Sequence, residues 1–152
     1  MALFFQNDRI MKLKSFLKAL LVVCLLAVPV SMNSQAEIIE ANCKANFEYP
    51  FILTGRPFRA LITNDEVAEF RATLFSGTTY RISAGSQGNS YLIFSVYDTD
   101  HNLLFTNKDY DNATYWDFEV DGYLDCIVEA RLDESITSSG FAIIMTGIKL
   151  NE

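Results

Sequence analysis

Asp98, Asp100 and Asn102 stand at alternate positions in the stretch Asp98-Thr99-Asp100-His101-Asn102-Leu103. Oxygen-bearing side chains at that spacing match the first three ligand positions of a calcium loop, because a hard cation needs several oxygens delivered by one tight turn. Leu103 takes the place of the glycine expected next, and the distal glutamate is missing. The bland reading of the same residues is a hairpin turn, in which Asp and Asn hydrogen-bond their own backbone. Asp109, Asp111 and Asn112 make a second acidic loop, which joins the first only if the fold brings the two together. No cofactor other than calcium is suggested.

His101 is the sole histidine. A Ser-His-Asp set needs a pre-organised nucleophile turn, and no Gly-x-Ser-x-Gly occurs. A zinc site would want more His and Cys ligands than remain once two cysteines form a disulfide. No catalytic residue is therefore expected, and a small secreted hydrolase using His101 is the least favoured reading. Tyr91, Tyr97 and Tyr115 oppose apolar neighbours on alternating segments. Tyrosines on an open sheet face can stack on sugar rings or anchor a protein, although tyrosine is also common in strands for propensity reasons. Cys43 and Cys126, 83 residues apart, read as a disulfide in an oxidising compartment. Such a bridge would contribute roughly 4.5 kcal/mol by loop closure; the alternative is two buried thiols.

Hydrophobic periodicity names the scaffold for these residues. Ala68, Phe70, Ala72 and Leu74 alternate, as do Tyr80, Ile82 and Ala84, and then Leu92, Phe94 and Val96, with Ser76-Gly77-Thr78 and Gly85 to Ser90 between them. This spacing predicts a three-stranded antiparallel meander with one face on a core. Upstream, Phe47 to Leu53 reads as an edge strand because Pro50 cannot donate to a ladder. Thr54-Gly55-Arg56-Pro57 reads as a turn and Phe58 to Thr63 as the next strand. Glu37 to Lys44 is polar without a clear period, and no amphipathic helix is expected in it or anywhere after the signal peptide. Downstream, Tyr97 to Phe105 reads as a hairpin, and Trp116, Phe118 and Val120 as inward positions of a strand. Leu124, Cys126, Val128, Ala130 and Leu132 form the longest alternation, which points Cys126 inward. Phe141 to Lys149 is apolar almost throughout, as befits a strand that is central or covered on both faces. Eight or nine short strands predict an all-β antiparallel sandwich or jelly roll.

Residues 1–36 read as a cleavable signal peptide with a short N-terminal extension. Lys12, Lys14 and Lys18 precede an apolar core from Ala19 to Val30, and Ser34-Gln35-Ala36 offers small residues at the cleavage positions. That core is well short of the ~20 residues of a membrane span, so no stable membrane insertion is expected after cleavage. Cys24 follows Val22-Val23 and does not suit lipidation, and Met11 is an alternative start. Residues 37–152 then form a single domain. Four of the 12 basic residues but one of the 19 acidic ones precede Glu37, leaving eight basic and 18 acidic side chains, a net charge of −10. A surface that acidic is unsuited to nucleic acid or anionic lipid.

Asp65-Glu66-Val67-Ala68-Glu69-Phe70, Leu74, Gly77-Thr78-Thr79-Tyr80-Arg81-Ile82 and the hairpin from Val96-Tyr97-Asp98 to Asn102-Leu103-Leu104 are similar to the bacterial pre-peptidase C-terminal domains. The resemblance spans about Asp65 to Lys149. It implies a small secreted jelly-roll-like sandwich with an accessory or binding role. Ala68 departs from it, since the family usually has a second acidic residue there, and that family usually follows a catalytic domain. The resulting expectation is an exported, non-enzymatic module, secreted or periplasmic, with a protein or glycan partner. A calcium-stabilised adhesion or matrix module is the alternative.

Overall fold

A computed structural model describes residues 31–88 and 92–150, and of residues 31–34 the backbone alone. The charged and apolar parts of the expected signal peptide, with Cys24 and Met11, lie outside the described residues. So does Tyr91. A compact unit begins at Gln35, and among the described residues no helix is long and apolar enough to cross a membrane.

Helix α1 (Ser31–Ala45) is followed by β1 (Phe51–Thr63), β2 (Ala68–Phe75), β3 (Tyr80–Gly85), β4 (Leu92–Asp98) and β5 (Leu103–Thr106). After these come a 3-10 turn, η1 (Asn107–Tyr110), and then β6 (Tyr115–Phe118), β7 (Tyr123–Leu132) and β8 (Ser139–Lys149). The strands form two four-stranded sheets, in the orders β1-β8-β3-β6 and β2-β7-β4-β5. Every neighbouring pair is antiparallel. This is the eight-stranded jelly-roll arrangement of two packed sheets, so the expected sandwich is present.

The inward residues are the ones periodicity selected. Ile82, Phe94, Val96, Val128, Ala130 and Ala142 are fully buried between the sheets. Phe105 from β5 packs against Trp116 and Phe118 from β6, at 5.1 and 5.2 Å between ring centroids, and closes the edge where the two sheets meet.

The expected meander is not formed. β2 pairs with β7, β3 with β6 and β8, and β4 with β5 and β7. Turns at Ser76-Gly77-Thr78 and after Gly85 therefore carry the chain from one sheet to the other rather than back along the same one. Thr54 to Pro57 is likewise no turn: β1 runs through it with a register irregularity between Thr54 and Phe58. Across it Leu53 and Phe58, five residues apart, keep the opposite faces that alternation gives them.

Residues 37–44 are helical rather than a polar lead-in. Ala36, Ile39 and Cys43 recur at helical spacing and pack on Phe141, Ile143 and Met145, on the outer face of the first sheet. β8 is thus central and covered on both sides. Gly85 permits the close approach, since a Cβ there would stand 2.7 Å from Cys43 Sγ. Polar bonds fix the helix end: Ser83 Oγ donates to the Cys43 carbonyl at 3.2 Å, and Asn46 Nδ2 donates to Ser83 Oγ at 2.9 Å.

The same placement corrects the disulfide. Cys43 lies under the helix outside the first sheet, whereas Cys126 points into the interior from the second. A sheet stands between them, and both are free, buried thiols. Cys43 is pushed from 9.0 up to about 11 by burial, with the Ser83 hydrogen bond opposing and the Glu40 charge adding to the rise. A thiol held neutral in the folded state contributes stability that is fully present below the unfolded value and is lost as pH climbs through the folded one. Melting curves should therefore be unchanged by a reducing agent. From pH 9 to 11 the protein should lose on the order of 2 kcal/mol relative to Cys43→Ala. A fall in melting temperature on reduction would restore the bridge.

Candidate binding end of the sandwich

The calcium-like residues form the tip of the β4–β5 hairpin. Asp98 Oδ1 accepts from the backbone N–H groups of Asp100 at 3.0 Å and Asn102 at 2.8 Å, while Oδ2 accepts from Asn102 Nδ2 at 2.8 Å. These bonds, those of Asn102 foremost, hold the Asp98 carboxyl below the usual range. Its oxygens thus serve the turn. Asp109 and Asp111 do not approach the tip: Asn107, at the start of η1, bonds to Phe94 and Leu92 at the other end of β4. Among the described residues no group of three or more His, Cys, Asp or Glu side chains gathers where a metal could sit.

His101 adopts a left-handed backbone (φ 63°) and folds back over the outer face of the second sheet. Its ring stacks on Tyr97 at 4.6 Å and an interplanar angle of 8°, and Nε2 lies 3.1 Å from Glu129 Oε1. Tyr97 is therefore half-covered by its own hairpin.

Tyr115 lies on the outer face of the other sheet. There the Arg81 guanidinium is held between the Phe51 ring, at 3.7 Å, and the Tyr115 ring, at 4.4 Å. Arg81 also donates to both Asp117 oxygens, at 2.7 and 2.8 Å, and to the Asn46 carbonyl at 2.7 Å. Tyr97 and Tyr115 thus face away from each other across the sandwich and cannot share one ligand.

A different pair stands free. Phe75 and Tyr123 are register partners at the end of β2 and the start of β7, 58% and 73% exposed. Each takes the outward parity next to an inward leucine, Leu74 or Leu124. Such cross-strand partners lie side by side. The turns that follow Phe75 and precede Tyr123 are tied by a bond from the Ser76 N–H to the Gly122 carbonyl. Gly77 (φ 88°) and Gly122 (φ 126°) supply the positive φ that these turns require.

Between the two turns, Pro50 before β1 and Lys149-Leu150 at the end of β8 opens a cleft of about 710 Å³, whose walls include Thr79, Glu119 and Asp121. Thr79 Oγ1 donates to Glu119 Oε1 at 2.8 Å and fixes that carboxylate at the rim. An open cleft beside two exposed aromatics can seat a protruding group while the rings bury apolar surface. Phe75 and Tyr123 were legible in principle, as aromatics of outward parity flanking glycine turns, but alternation read for its inward positions passes over both.

No protein-family model matches the chain, and no curated protein does so. Among solved structures it is similar to Aeromonas hydrophila PliG, a periplasmic lysozyme inhibitor of g-type lysozyme. The match has a TM-score of 0.50 at 12% identity, over 62% of this chain and 85% of that one. The likeness is one of fold.

Proposed function

We propose that this chain is an exported, non-enzymatic module that binds a protein at the loop end of its sandwich, and that the partner is a lysozyme-type enzyme, which it blocks. The observation that carries the reading is the Phe75–Tyr123 pair, two large rings exposed side by side and flanked by the turns whose Gly77, Thr78 and Asp121 line an open cleft. Aromatic anchors of this kind dominate binding energy at protein interfaces. Export rests on the signal-like first 36 residues, and a lysozyme-type partner on the fold shared with PliG. An accessory role is also what the resemblance to pre-peptidase C-terminal domains implies. His101, stacked and paired with Glu129, has the fixed place of a structural side chain.

Biosensor binding to a g-type lysozyme, with the lytic rate measured in parallel, tests the reading. The protein should bind and slow lysis. The pair Phe75→Ala/Tyr123→Ala should weaken binding by about a hundredfold, while Tyr97→Ala leaves it unchanged. Binding that survives the aromatic double variant would remove this end of the sandwich from the interface. Lysis that proceeds undiminished would remove lysozyme as the partner.

A further inference from the structure

The end that carries Phe75 and Tyr123 is markedly one-sided in charge. Sheet register brings Glu48, Asp98, Asp100, Glu119, Asp121 and Asp125 to it, from the start of β1, the β4–β5 tip, the β6–β7 turn and the start of β7. The bases there are Arg81, spent on Asp117, Arg71, which lies beside Asp125 and Thr99 on the second sheet away from the cleft, and Lys149, with His101 at the hairpin tip against Glu129. Within the cleft, Glu119 and Asp121 are exposed on one wall and Lys149 is the single basic group in the lining. Glu119 is held by Thr79, so its position is set before any ligand arrives. Neither carboxylate has an ion-pair partner among the described residues.

Resting on the reading above, we infer that the cleft receives a lysine or arginine side chain of a cationic protein partner, with Glu119 and Asp121 facing its charge and Phe75 and Tyr123 covering the apolar surface around it. Complementary charge on this scale steers encounter and fixes orientation. A domain carrying a net −10 repels acidic proteins from the same face. Arginine also gains from an aromatic face such as that of Tyr123. The aromatic pair and the open cleft define the docking surface; the carboxylates select which chemistry enters it.

The test follows backbone amides by NMR while N-acetyl-arginine amide is added to the full protein, with N-acetyl-citrulline amide as the uncharged counterpart. Amides of Thr78, Asp121 and Gly122 should shift saturably, at millimolar concentration, with the arginine compound and stay still with citrulline. Glu119→Gln/Asp121→Asn should weaken the arginine response about fivefold, and Lys149→Met, which removes the competing charge, should strengthen it. Equal shifts with citrulline, no shifts, or equal response at the distant acidic turn Asp133–Ser135 would each overturn the inference. The lysozyme assay with Phe75→Ala/Tyr123→Ala separates the two levels. If the aromatic variant still binds while arginine occupies the cleft, the docking reading fails and the cation site stands. If the aromatic variant loses binding while the arginine compound leaves the cleft amides unmoved, the reverse holds.

Discussion

Gly147→Ala is expected to remove a large part of the protein's stability. Gly147 sits in β8, buried beneath the segment that connects α1 to β1. A Cβ at this position would fall on the Ile52 carbonyl oxygen and within 2.6 Å of the Phe47 ring. The carbonyl belongs to the neighbouring strand β1, whose register with β8 holds the first sheet together, so relief requires shifting backbone rather than rotating a side chain. Overpacking of this severity costs about 3 kcal/mol or more, a large part of the stability of a domain this size. Gly140→Ala makes the control. There the nearest atom is the Ser86 hydroxyl at 3.2 Å, followed by Leu132 methyl groups at 3.7 Å, and the change should cost under about 1 kcal/mol. Urea midpoints of the two variants check the contrast, and comparable losses at both sites would refute the tight seat at Gly147.

Asn107→Leu should be nearly as damaging, for an electrostatic reason. Asn107 is 1% exposed. Its Oδ1 accepts from the Phe94 N–H at 3.0 Å, and its Nδ2 donates to the carbonyls of Leu92 at 3.0 Å and Ala113 at 3.1 Å. One amide therefore joins the start of β4 to the loop before β6. Leucine is of similar size and leaves a buried N–H without its acceptor and two carbonyls without a donor, at a cost of at least about 3 kcal/mol. Asn107→Asp keeps the acceptor for Phe94 but can donate only while protonated. Burial raises such a carboxyl, so this variant should be most stable near about pH 4 and lose ground as pH rises. A flat difference from the parent between acid and neutral pH would show that the site is wetter than its burial implies.

Strand positions were legible because alternation leaves a direct trace. Leu124, Cys126, Val128, Ala130 and Leu132 all face the interior, and the nearly unbroken apolar run of β8 reflects true coverage on both sides. Pairing left no such trace. Period two says which way a side chain points from its own strand and nothing about which strand lies beside it, so β2, β3 and β4 read as neighbours. The same gap misplaced the chemistry. Tyr97 and Tyr115 share outward parity but belong to different sheets, and Cys43 and Cys126 make an even pair with a layer between them. Helix α1 was hidden by its own polarity: Glu37, Glu40, Asn42 and Lys44 outnumber the anchors Ala36, Ile39 and Cys43.

Strand order also bears on how such a chain folds while it is being made. The outermost strand of the first sheet, β1, is built near the beginning and has β8, near the end, as its neighbour. A polypeptide emerging from the ribosome presents β1 long before its mate arrives. Pairings that span most of a chain form late, and bare strand edges invite clumping in the meantime. For this molecule the hazardous interval is set by the time its tail takes to emerge.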